Sequence, residues 1–269
     1  MVADMNFMNN QIIGLQDWLG SPLGQYLLAW ERQQFDLAVA DVFGFHALQL
    51  GLPEIDSLAA NRMPHRWLAG PVSQPGVHLV TDFSALPFPS NSLDLVVMPH
   101  TLELSSDPHA TLREVERVLV PEGRAIMSSL NPLSLWGLRQ RRVQVYKRLG
   151  LARSFLPHDE FIGYLRLRDW VRLLGFEVEV GRFGCYRPAF QSDGWLDRLD
   201  WMDRAGARWW PIFGAVYFVV AVKRVRGVTL LSPNWKAARA PQRAPVSVAN
   251  SAVLTGSRKR KDENSRSLH

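Results

Sequence analysis

Residues 80–104 read VTDFSALPFPSNSLDLVVMPHTLEL. Val77 to Asp82 predicts a short buried strand and Leu93 to Met98 a second, clearer one, each ending in polar or turn-forming residues. Ligands of an open α/β sheet lie at the carboxyl ends of its strands. Asp82, Phe83 and His100 therefore stand where a ligand would be met. Such a sheet normally begins with a strand running into a glycine-rich turn, yet the upstream stretch ALQLGLPEI (47–55) offers Gly51 alone.

Working outward, strands and helices alternate, which predicts a mostly parallel sheet with helices on both faces. Pro22 to Val42 predicts a helix. His46 to Gly51 is the first strand, Arg66 to Ala69 a weak second, Val77 to Asp82 the third and Leu93 to Met98 the fourth. Asp107 can cap a helix that has Pro108 at its first position, with Leu112, Val115, Val118 and Leu119 as its apolar stripe. Pro121 to Gly123 stop it, and Arg124 to Leu130 is a fifth strand. Asn131-Pro132 leads into a short helix from Leu133, then a basic, irregular insertion over Arg139 to Leu156. Leu167 to Leu174 is helical, Phe176 to Val180 a sixth strand, Trp195 to Arg208 a helix and Val216 to Val222 the last strand.

The chain has 269 residues, 47% hydrophobic and 21% charged, enough for one large domain with a substantial core. Its net charge of +6 is unevenly placed. Lys223 to His269 holds eleven Lys and Arg against Asp262 and Glu263, about +9, which leaves the remainder near −3. We read residues 1–224 as the folded domain and 225–269 as a basic, disordered tail too poor in apolar surface to order itself. The tail suits weak, electrostatic nucleic-acid contact. One cysteine, Cys185, excludes an internal disulfide and a cysteine-based zinc site, so no metal is expected and the cytoplasm is the default compartment. The most apolar run, Ile212 to Val222, is too short to span a bilayer, and no transmembrane segment is expected.

The stretch from Leu79 to Pro132 resembles the central half of the class I S-adenosylmethionine-dependent methyltransferases, specifically the type 11 group. The resemblance rests on six pieces in order: an Asp followed by Leu-Pro-Phe (Asp82, Leu86 to Phe88), the Asp-Leu-Val-Val strand (Asp94 to Val97), His-x-x-Glu (His100, Glu103), a helix ending Arg-Val-Leu, a Pro-x-Gly turn (Pro121 to Gly123) and Asn131-Pro132. As a whole the chain is similar to a small proteobacterial methyltransferase-like group with a reduced glycine motif. The resemblance implies a doubly wound, mostly parallel seven-stranded Rossmann-like sheet with an antiparallel last strand. It also implies S-adenosylmethionine as cofactor and methyl transfer to an unknown acceptor, a small molecule or RNA.

By the same resemblance, Asp82 accepts a hydrogen bond from the adenine amino group, Phe83 packs on the ring and Gly51 is what remains of the glycine loop. Pro53 and Ile55 replace the second and third glycines, although Pro53 cannot take positive φ and Ile55 resists it. Gln49 replaces the loop acid, and RWLAGPVSQ (66–74) lacks the acid for the ribose hydroxyls, a role Glu54 or Asp56 could take. His100 is the candidate for acceptor contact, with Glu103 and Asn131 beside it. The basic group from Arg139 to Arg153, interleaved with Trp136 and Tyr146, could grip an anionic substrate, nucleic acid or a membrane surface, and Cys185 could be a nucleophile. Each has a simpler role as well: Asp82 as a turn residue, His100 and Glu103 as a local pair, Cys185 as a small buried hydrophobe, and the basic group as a solvated face. The rival function is a catalytically inactive pseudo-methyltransferase, a binding or scaffold module on the same fold.

Overall fold

A computed structural model describes residues 14–15, 17–148, 161–189 and 198–224. Met1–Arg226 forms one compact unit. The proposed tail, 225–269, lies outside the described residues. Seven strands, β1 (His46–Leu50), β2 (His65–Gly70), β3 (Leu79–Val80), β4 (Leu93–Pro99), β5 (Leu119–Leu130), β6 (Phe176–Gly184) and β7 (Val216–Lys223), form one sheet in the order β3-β2-β1-β4-β5-β7-β6. Every pairing from β3 to β5 is parallel, and β7 runs antiparallel to both β5 and β6. The doubly wound sheet with a reversed last strand is the architecture expected from the sequence.

The helices are α1 (Pro22–Val39), α2 (Thr101–Leu104), α3 (Pro108–Val118), α4 (Leu135–Arg148), α5 (Tyr164–Leu173) and α6 (Trp201–Trp209). Ser21 caps α1 through Gly24 N–H, and Asp107 caps α3 through Ala110 N–H. Neighbouring residues of β7 show which face each helix covers, because consecutive strand side chains point to opposite sides. Phe218 meets Phe35 of α1 with ring centroids 5.0 Å apart, whereas Tyr217 meets Tyr164 of α5 at 5.8 Å. The α3 helix lies beside α5 through the His109 and Trp170 rings. So α1 covers one face while α3 and α5 cover the other. Gly184 lets α1 come close: a Cβ there would lie 2.1 Å from the Trp30 ring.

Three expectations need correction. The third strand is only Leu79–Val80, because Thr81 and Asp82 already turn away. The stretch from Arg139 is not irregular: α4 continues to Arg148, burying Trp136 and Gln140 while exposing Arg139, Arg141 and Arg142. Residues 149–156 of that predicted insertion lie outside the described residues. Finally, the connections from β1 to β2 and from β2 to β3 contain turns and no helix, so the half of the sheet with the weak glycine motif is also the half with the slightest crossovers.

Candidate functional site

Strand order reverses between β1 and β4, which places a crevice at their carboxyl ends. Thr101 spans it, its hydroxyl donating to the Leu50 carbonyl at 2.5 Å. Gly51 follows β1 with φ +77°, a conformation that favours glycine. Gly51 and Phe83 are brought together: a Cβ on Gly51 would lie 3.5 Å from Phe83 Cζ. Phe83 is itself buried. Asp82 is exposed at the end of β3, and its Oδ1 accepts from the backbone N–H and hydroxyl of Ser84, both at 2.9 Å. The Leu-Pro-Phe motif beside it is tied to α3, since Arg117 donates to the Leu86 and Phe88 carbonyls while Glu114 accepts from Leu86 N–H.

The loop after β1 is organised from below by Gln49, which is buried. Its amide nitrogen donates to the carbonyls of Gly51, Leu52 and Ile55 at 3.1, 2.9 and 2.6 Å, and its oxygen accepts from Ser57 N–H at 3.0 Å. A carboxylate could accept the last bond but could not donate, whereas the two amide hydrogens of Gln49 are shared among the three carbonyls. The change from acid to amide thus follows from the way residues 51–57 fold around their own carbonyls. Gly51 N–H is also engaged, by the Ala69 carbonyl at 2.8 Å.

An adenosyl group fits this arrangement at one end only. At the β3 end, the exposed Asp82 carboxylate is open to the exocyclic amine of an adenine. At the β1 and β2 ends, the space between Gly51, Pro53, Gly70 and Val77 is about 10 Å³, no more than a water needs. No carboxylate follows β2 to hold ribose hydroxyls. Glu54 and Asp56 lie on the loop, and Asp56 instead borders a cleft of about 380 Å³ with Ile55, Arg66, Trp67 and His78. This space beside Gly51 does not by itself hold the ribose or methionine portions while the loop keeps this form.

His100 begins the turn after β4 with φ +51°. Its ring is wholly buried, with Nδ1 2.9 Å from Glu103 Oε2 and Nε2 2.9 Å from Glu31 Oε1 of α1. Burial by itself pushes the imidazole down, but the charges of Glu31 and Glu103 outweigh it and bring it up to about 10. Glu103 is further held by the Ser129 hydroxyl at 2.7 Å and Leu130 N–H at 2.5 Å. Glu31 is equally buried; its Oε1 meets His100 Nε2 at ion-pair distance without hydrogen-bond geometry, and neither of its oxygens has a hydrogen-bond partner among the described residues. Sequence reasoning missed Glu31, yet the signal was available: it lies four residues after Leu27 and four before Phe35, on the buried stripe of α1.

Asn131 shapes the next loop, its amide donating to the Ile212 and Gly214 carbonyls at 2.7 and 2.9 Å. Cys185 is buried, and its thiol is pushed well up by burial and then by Glu31 and Asp203, the opposite of a reactive thiolate. Beside it, Asp203 accepts from Tyr26 and from Arg187, whose guanidinium lies 4.6 Å from the Tyr26 ring centre.

Comparison with known proteins agrees with the topology. Residues 56–127 match the Methyltransferase domain family. The chain is 31% identical to the Escherichia coli (strain K12) "Uncharacterized protein YafS" over 220 residues, covering 79% of this chain and 82% of that one. It is 31% identical over 114 residues to the malonyl-[acyl-carrier protein] O-methyltransferase of Halorhodospira halophila, covering 42% of this chain and 36% of that enzyme. Among solved structures, a SAM-dependent methyltransferase from Archaeoglobus fulgidus superposes with a TM-score of 0.50 at 16% identity, over 73% of this chain and 94% of that one. Sheet order, matched domain and long-range identity converge: the chain belongs to the class I S-adenosylmethionine-dependent methyltransferases, in the type 11 group.

Proposed function

We propose that this chain takes a methyl group from S-adenosylmethionine and passes it to an acceptor, a small molecule or an RNA, held at the carboxyl edge of the sheet. The observation that carries this reading is the exposed Asp82 carboxylate at the end of β3, in a sheet whose order and reversed last strand are those of the family. S-adenosylmethionine supplies an electrophilic methyl group, and its transfer depends chiefly on alignment of donor and acceptor. Asp82 holds the adenine end, and Gly51 keeps the backbone bare beneath it. The loop 51–57 must let go of the Gln49 amide to admit the remainder.

His100 has a positioning role in this reading. An imidazolium between two carboxylates has no free lone pair at neutral pH, so it cannot accept a proton from an acceptor. It ties α1 to the end of β4 and fixes the floor of the acceptor side. We assign the reaction to the cytoplasm, in keeping with the single unpaired cysteine. The test is incubation with methyl-labelled S-adenosylmethionine and separated cell extract. Label in the small-molecule or RNA fraction supports the reading and names the acceptor class. No label in any fraction, together with no cofactor binding, assigns the chain to the scaffold class.

A further inference from the structure

A second surface lies along the same edge of the molecule. Asn131, at the end of β5, bonds to the carbonyls of Ile212 and Gly214, which joins the start of α4 to the segment between α6 and β7. Trp136 and Arg187 complete the connection: the Trp136 indole donates to the Arg187 carbonyl at 2.8 Å, and the Arg187 guanidinium reaches Asp203 of α6 at 2.8 Å. These joined segments expose large apolar side chains. Trp209 is 73% exposed, Ile212 56%, Phe213 53%, and Leu135 and Leu138 50% each, with Trp201 and Trp210 also open. Apolar exposure concentrated this way on joined segments marks an interaction surface rather than ordinary surface scatter.

Among the described residues, the charges on these segments are mostly basic. Arg141 and Arg142 on α4, and Arg204 and Arg208 on α6, are exposed. The only acids in 131–148 and 198–214 are Asp200 and Asp203; both are ion-paired with Arg187, and Asp200 also lies 3.8 Å from Arg204. Indole and aliphatic tips ringed by guanidinium groups match the boundary between acyl chains and anionic headgroups. A second copy docking through the same face would set these arginines against one another, whereas an anionic bilayer neutralises all of them. Among the described residues no helix is long and apolar enough to cross a membrane, so contact through this face is peripheral. We propose that this surface docks the protein on an anionic lipid bilayer, with the carboxyl edge of the sheet turned toward the headgroups. The inference does not depend on methyl transfer.

The test is flotation of the full chain with vesicles of phosphatidylcholine alone and of phosphatidylcholine with about one-third phosphatidylglycerol. Trp209→Ser combined with Phe213→Ser removes apolar tips, and Leu135→Ser with Leu138→Ser does so on the other helix. The basic C-terminal segment is common to all three proteins, so differences between them report this surface. Wild type is expected to float with the anionic vesicles, and each double variant to bind at least about tenfold more weakly with an unchanged circular dichroism spectrum. A variant that misfolds is set aside in favour of the other pair, which tests the same claim. Equal binding by wild type and variants overturns the proposal, as does no binding by any of them. A wild-type dimer in sedimentation velocity that the variants dissolve would also overturn it, in favour of self-association.

Discussion

Glu31 and His100 meet at 2.9 Å with both side chains wholly buried, although 69 positions separate them in the chain. The contact fastens the first long helix to the end of the central strand. With Glu103 on the opposite side of the ring, the three residues make a carboxylate–imidazolium–carboxylate row.

Removing the central cation leaves two facing carboxylates in the interior. His100→Gln is therefore expected to cost about 3–5 kcal/mol of stability, while Glu31→Gln costs less because the neutral His100–Glu103 pair remains. The pH dependence follows from the raised pKa. The imidazolium contributes fully below its unfolded value of about 6.5 and loses that contribution as pH rises through about 10. Urea midpoints for wild type and His100→Gln should differ most near pH 6 and converge toward pH 10. A gap independent of pH would show that His100 is neutral in the fold.

Restoring the family's acid after β1 should do harm. Gln49→Glu places a buried carboxylate against the carbonyls of Gly51, Leu52 and Ile55, replacing the hydrogen bonds donated by the amide with repulsion. A loss of at least about 2 kcal/mol in chemical denaturation is expected. A stable variant with tighter cofactor binding would mean that the loop does not depend on the Gln49 amide.

Asp82 supports a milder test. Asp82→Asn keeps an oxygen for the Ser84 turn but replaces the carboxylate proposed to meet an adenine amine. Affinity for S-adenosylmethionine should fall by about 1.5–3 kcal/mol, the range for hydrogen bonds to charged groups, with the thermal midpoint unchanged. Equal affinity in the folded variant would remove Asp82 from the site.

The sheet was legible where local chemistry is strong. Leu93 to Pro99 is a nearly continuous buried run, and Asp107 with Pro108 marks the start of α3 through a cap bond visible in the residue types alone. Elements held by tertiary contact were harder. The third strand looked longer because Val77, Leu79 and the apolar residues around them favour extension, yet Thr81 bonds forward to the Ala85 carbonyl and ends the ladder. The arginines of α4 resembled a solvated insertion because few of the side chains described on that helix are buried, Trp136 and Gln140 among them. For the site, Gly51, Asp82 and Phe83 were readable as positions at strand ends. Whether Phe83 faces a ligand or Gly51 depends on a loop geometry set by Gln49, and the pairing of His100 with Glu31 depends on a helix crossing the sheet. Neither is a local property of the sequence.

The basic C-terminal segment yields a separable prediction. Arg224, the last described residue, still pairs with Glu122, Glu177 and Glu179, and Lys223 bonds to the Glu116 and Leu119 carbonyls. Truncation after Arg224 keeps these contacts, so the remaining protein should stay folded. RNA retention, if it arises from residues 225–269, whose nine Lys and Arg against two acids give about +7, should be steeply salt-dependent in the full chain and absent after truncation. Salt-resistant RNA binding by the truncated protein would move the recognition surface to the arginines of α4.

The central claim is that this fold still takes the family's cofactor despite a loop closed over Gln49. Isothermal titration of the full chain with S-adenosylmethionine and with S-adenosylhomocysteine tests it most directly. Saturable heat at a stoichiometry near one, weakened in Asp82→Asn, is the predicted result. No heat and no thermal shift at about millimolar ligand, where an affinity of even −4 kcal/mol would register, would contradict it.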